Sequence, residues 1–235
     1  MDNATKTPRR IFLGQALNGS ALAWAMGGAL VGTVSAQRAE LPRRRLAEPG
    51  PMLPPVPAIF MTVNGRPGDP EEISVTWTFV VNGEPPQIGV AVGDEHIARD
   101  LVAMHQEFVL NVPTAGLVHP FDVVDMNSSR VADKFAMAGL SLGTAAVVDA
   151  PTINESPIQL ECRVLHTLRV PPERTIYVAE VVATSVHEGI CDEAGRLNVE
   201  AARFFGMTAG SGEFYTLGRK VGHIGQSVGR SDIRY

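Results

Sequence analysis

The side chains best suited to chemistry lie between Ile73 and Asn111 of a 235-residue chain. Thr76, Trp77 and Thr78 stand in a run rich in β-branched and aromatic residues, which predicts a strand. Gly83-Glu84-Pro85-Pro86 follows as a tight turn. A strand over Gln87 to Val92, a short helix and a buried strand ending in Asn111 come next. Hydroxyls, an amide and a large aromatic can bind polar edges and flat faces, and none is a strong acid or base. The set suits a flavin mononucleotide (FMN) site better than an acid–base site.

Other chemistries leave no mark. The six histidines are scattered, with no HExxH and no paired-cysteine motif, so no metal ligand is assigned. A GxSxG elbow and a P-loop are missing, and Gly210-Ser211-Gly212 reads as a flexible loop. Gly218, Gly222 and Gly225 are wrongly spaced for a dinucleotide fingerprint. No catalytic residue can be named. The formal charge of −5, with no basic patch, makes nucleic acid an improbable partner. Two cysteines, Cys162 and Cys191, exclude a disulfide scaffold.

The elements that must position these residues are mostly strands. Ala58 to Val63 is an apolar run closed by Asn64-Gly65. Ile158 to Val164 alternates, with Ile158, Leu160, Cys162 and Val164 on the apolar side and Gln159, Glu161 and Arg163 on the polar side. Phe108 to Val112 and Thr175 to Val186 are apolar on both faces, as strands covered on both sides are. Helices are expected over Ile97 to Met104, Val131 to Ala138 and Asn198 to Phe205. No strand–helix alternation recurs, so the expected fold is mainly β, an antiparallel β-barrel with peripheral helices.

Residues 1–36 read as an export signal. Arg9-Arg10-Ile11-Phe12-Leu13 resembles a twin-arginine signal, with an ordinary secretory signal carrying two arginines as the alternative, and Val34-Ser35-Ala36 offers a cleavage site. The apolar run Ala16 to Val34 is broken by glycines, which argues against an anchor and for a mature chain without a membrane span. Residues 37–55 are charged and proline-rich, a linker, and 56–235 form the single domain. The expected location is the periplasm.

Several blocks in order resemble the flavin reductase-like, FMN-binding split-barrel family, in its flavoredoxin branch. They are SVTWTFVVNGEPP (74–86), EFVLNVP (107–113), SRVADKFAMAGL (129–140), APTINESPIQLECRV (150–164), YVAEV (177–181) and GEFYTLGRKVGHIGQSV (212–228). The resemblance implies a Greek-key-like split barrel and a homodimer with FMN near the interface. It implies that Ser74, Val75, Thr76, Trp77 and Thr78 offer hydroxyls and backbone N–H groups to the flavin, and that Asn111 lies beside it. Ser128, Ser129 and Arg130 correspond to a loop that closes on the cofactor. For Trp77, simple core packing is an equal alternative.

Two places depart from the family pattern. Gly93-Asp94-Glu95-His96-Ile97-Ala98-Arg99 stands where basic residues and a hydroxyl hold the phosphate. Pro171-Pro172-Glu173-Arg174 stands where Asp-His adjoins the nicotinamide, which bears on NAD(P)H as electron donor. The expected activity is an FMN-dependent oxidoreductase. The alternatives are a non-enzymatic FMN electron carrier serving a redox partner protein, and a barrel that has lost flavin and acts as a binding protein.

Overall fold

The computed structural model describes residues 44–53, 55–128, 133–193 and 196–229. The expected signal, linker residues 37–43 and 54, the start of the helix expected from Val131, and Ser129 and Arg130 lie outside the described residues. The chain divides into two units, Met1–Gly50 and Pro51–Tyr235. Of the first, residues 44–50 are exposed and irregular. The second carries the fold.

Its elements in chain order are β1 (Val56–Pro57), β2 (Phe60–Val63), β3 (Glu72–Val75), β4 (Trp77–Asn82), β5 (Gln87–Gly93), α1 (Ile97–His105) and β6 (Glu107–Val112). Then come α2 (Val118–Met126), α3 (Lys134–Ala138), β7 (Leu142–Gly143), β8 (Thr152–Ile153), β9 (Ile158–Val170), β10 (Arg174–Val186), α4 (Val199–Ala202), β11 (Phe205–Met207) and β12 (Phe214–Thr216). Seven strands form one antiparallel sheet in the order β3-β2-β6-β9-β10-β5-β4. The fold is therefore mainly β, as expected.

The order contains its own closure. The two edge strands, β3 and β4, are consecutive in the chain and are joined by Thr76 alone. A flat sheet would hold its edges six strand spacings apart, at roughly 4.8 Å per step. The sheet must curl until the edges meet, which makes it a split barrel. Thr76 fastens the seam. Its N–H donates to Ile59 O at 3.4 Å, next to β2, and its hydroxyl donates to Ala91 O of β5 at 3.2 Å. The sequence predicted one straight strand through Thr76-Trp77-Thr78; the structure has a corner there.

Both faces of the sheet are covered, which explains the continuous apolar strands. One face packs Met61, Val63, Val90, Val92, Phe108, Leu110 and Tyr177 beneath α1. The other packs Phe60, Ile73, Phe121 and Phe205 against α2 and α3. Phe121 is the centre of this second core. Its ring lies 5.3 Å from Phe60, 5.4 Å from Phe205 and 5.6 Å from Phe214, the latter two edge-on. All of β2 is buried because it lies between the two cores.

Several sequence expectations need correction. Helix α2 was not foreseen, since Pro120 sits within its Val118-His119-Pro120 start; a first-turn proline is tolerated because its missing N–H has no intrahelical partner. The helix expected over Asn198 to Phe205 is only α4, capped by the Asn198 side chain and ended by Arg203 in a left-handed conformation. Strand β9 continues to Val170, and its supposedly polar face is not solvated at Glu161. That carboxylate is buried and accepts from the N–H groups of Ala146, Val147 and Val148 at 2.9, 2.6 and 3.0 Å. A loop's backbone donors have taken the place of water. Both cysteines are free, and burial pushes the Cys162 thiol well above its ordinary range.

Candidate functional site

Residues opposite one another in register share a face of the sheet. Ser74 is opposite Met61 and Glu72 opposite Val63, both in the core beneath α1. Thr78 is opposite Val90 of the same core. Ser74, Glu72 and Thr78 therefore look toward α1 and line the seam on that side. Ser74 and Thr76 are buried. The Ser74 hydroxyl has only a long contact, 3.5 Å to Val75 O. Thr78 Oγ1 has no solvent access and no hydrogen-bond partner. An orphaned buried hydroxyl is costly, and a ligand acceptor would relieve it. Ser156 Oγ is the other such atom among the described residues, and it lies apart, after β8.

Other predicted site residues go elsewhere. Val75 packs against the second core. Asn111 faces that same side, opposite Phe60. It is fully buried, donates to Thr62 Oγ1 at 3.0 Å and accepts from the Ile153 N–H at 2.8 Å. Its amide thus clamps β8 to β6 and is not brought together with the hydroxyls. Trp77 is not a core residue: it is 41% exposed, with the Arg174 guanidinium 4.6 Å from its ring centroid. It shares an outward face with Phe79, whose ring fills the space above Gly89; a Cβ there would lie 2.3 Å from Phe79 Cζ. Ile176 and Leu168 continue this face in register.

The departure over Gly93 to Arg99 now has a structural account. Asp94 accepts from the Thr175 hydroxyl at 3.2 Å and pairs with Arg169 at 2.7 Å and Arg99 at 3.5 Å. It ties the start of α1 to the β9–β10 hairpin, and Arg99 is turned toward Asp94 and Asp100. Ala98 is core. Tyr177 adds a second tie through its hydroxyl, which donates to Arg99 O at 2.7 Å.

Beside the start of α1 is a cavity of about 330 Å³ lined by Glu72, Glu95, His96, Asp125, Ser128 and Lys134. A second, of about 280 Å³, shares Glu72, Ile97 and Lys134 and opens toward Arg66 and Glu71. Lys134 and Glu72 form an ion pair at 3.1 Å, with side chains only 4% and 7% exposed. Sequence reasoning did not find this pair. An acid opening a strand and a lysine opening a helix ordinarily read as surface charge.

Residues 54–205 match the flavin reductase like domain. The chain belongs to that family. It is similar to an uncharacterized protein of Pyrococcus abyssi, 25% identical over 141 residues, covering 60% of this chain and 80% of the relative. The fold is that of flavoredoxin from Desulfovibrio vulgaris (Miyazaki F), with a TM-score of 0.72, 20% identity, and coverage of 77% of this chain and 97% of the other. Flavoredoxin from Methanosarcina acetivorans gives 0.70 and 24%, covering 79% of this chain and all of the other.

The unpartnered Thr78 hydroxyl is a donor that a polar ring edge such as a flavin's would satisfy.

Proposed function

We propose that this chain is an FMN-binding redox protein acting as an oxidoreductase of the flavin reductase-like type. The observation that carries this reading is the unpartnered Thr78 hydroxyl in the seam of a family-typical barrel. Bound flavin would supply hydride or electron transfer, while the protein holds and orients it. The test is the visible spectrum of the purified full-length chain mixed with FMN. A yellow protein with quenched flavin fluorescence is expected. A colourless chain that leaves FMN free would leave only the binding-protein reading.

A second reading, an electron carrier between proteins, is favoured by one feature. The turn Pro171-Pro172-Glu173 delivers Arg174 onto exposed Trp77, giving an apolar and cationic face suited to a redox partner protein. A flavin that NADH or NADPH fails to bleach would favour the carrier; rapid oxidation of NAD(P)H would favour the reductase. A homodimer would instead cover this same exposed face of Trp77, Phe79 and Leu168 with a second copy. Export through a twin-arginine signal to the periplasm is proposed from the sequence of residues 1–36. Changing Arg9 and Arg10 to lysine should trap the precursor in the cytoplasm, and normal secretion of that variant would refute it.

A further inference from the structure

On the homodimer reading above, we infer that the two copies also meet through the arm that follows β12, residues 217–229 of each lying on the acidic loop 186–200 of the other. Arm and loop both hold apolar side chains in water. Val221 of the arm is 97% exposed, and Ile224 and Val228 further along are exposed too. Val186, Leu197 and Val199 of the loop are likewise exposed. Covering such side chains is favourable, and a group of them marks an interaction surface.

Charge says what covers them. The arm carries Arg219 and Lys220 and no Asp or Glu. The loop carries Glu188, Asp192, Glu193 and Glu200 against one cation, Arg196, whose guanidinium is already on Asp192 at 2.8 Å. The two patches are opposite in sign, and both are apolar between their charges. A surface that holds both halves of a complementary pair is self-complementary, so one two-fold axis satisfies both arms and both loops. A single copy does not satisfy itself. The Lys220 N–H donates to the Glu200 carboxylate at 2.8 Å, so the base of the arm already touches the loop. Beyond that point the arm turns on its own bonds. The His223 N–H donates to Gln226 Oε1 at 3.1 Å and the Val228 N–H to Gly225 O at 3.1 Å. The apolar side chains therefore stay in water although the two segments adjoin. The loop is built in advance as well. The Asn198 N–H donates to Ile190 O and the Asp192 N–H to Arg196 O, both at 2.8 Å, and Cys191 bridges Leu197. Two preshaped surfaces lose little conformational freedom on meeting.

The experiment cross-links two full-length copies, one of them tagged, with a flexible bis-maleimide. Both carry Cys191→Ser, and the remaining native thiol, Cys162, is fully buried. Val221→Cys is placed on the tagged copy and Leu197→Cys on the untagged one. After mixing and subunit exchange, a tagged–untagged product is expected. Arg219→Glu/Lys220→Glu on the tagged copy should lower its yield about fivefold or more. Adding Glu188→Lys/Glu193→Lys to the untagged copy should restore it, because the reversed arm then meets a reversed loop. That rescue needs two different chains, so an arm folded onto its own loop would not show it. Sedimentation of the same mixture reads the assembly state. A dimer without the mixed product, a yield blind to the arm charges, or a loss that the second copy fails to repair would each overturn the inference. A monomer without the mixed product would instead bring down the homodimer reading on which it rests.

Discussion

A buried hydroxyl without an acceptor costs about 1–3 kcal/mol, and Thr78 bears that cost in the protein as it stands. Thr78→Val should therefore fold with stability equal to wild type or up to about 1 kcal/mol higher, measured by urea denaturation. The same variant should bind FMN about tenfold more weakly, the loss of roughly one hydrogen bond. A variant that is destabilised and binds normally would assign the hydroxyl to the fold instead. The hydroxyls at 74, 76 and 78 are legible in the sequence as residue types, but the turn of Ser74 and Thr78 toward α1 comes from the strand register. The bond from the Ile153 N–H to Asn111 is not legible there, because an amide ending a strand looks the same whether it faces a ligand or clamps a neighbouring element. The outward turn of Trp77 was equally hidden, since strand alternation does not say which face is the inside.

At the scale of elements, three consecutive N–H groups of the loop over 146–148 converge on one carboxylate, Glu161. Burial alone would raise the Glu161 carboxyl's pKa, but the N–H groups of Ala146, Val148 and Val147 pull it below the ordinary carboxylate range. A depressed folded pKa means stabilisation that is present above the unfolded value, near 4.3, and is lost as pH falls through the folded one. Glu161→Gln should cost about 2–3 kcal/mol at neutral pH and flatten the acid side of the stability–pH curve. An unchanged acid limb would show that Glu161 is not what acid attacks. The second core makes a parallel prediction. Phe121→Ala should cost about 3–5 kcal/mol by calorimetry or denaturant, because three aromatic rings converge on it. The long strands and α1 were legible from periodicity. Helix α2 was not, because a proline in the first turn resembles a loop until the rest of the helix is known.

At the scale of the whole molecule, an apolar face of the sheet stands uncovered among the described residues. The outward face bearing Trp77 and Phe79 suits a second copy, and sedimentation of the full-length chain should give twice the 25.1 kDa monomer mass. Charged substitution, Phe79→Asp, should shift that species to monomer without unfolding it. A monomeric wild type would leave the face to a different partner. The barrel class followed from the sequence because short apolar strands without helix alternation leave few other architectures. Its closure was invisible there, since Thr76 has the same β-propensity as its neighbours.

That one-residue connection sets a tolerance on the circumference of the sheet. Elsewhere an inserted residue lengthens a loop, and doubling a loop costs only about 0.6 kcal/mol. At position 76 there is no loop to lengthen, and the same residue holds Ile59 on one side and Ala91 on the other. An added residue here would widen the gap between the edges instead of bulging outward. The lining of the seam would then change spacing all at once, which makes residue 76 the place where chain length, rather than side-chain chemistry, fixes the bore of the barrel.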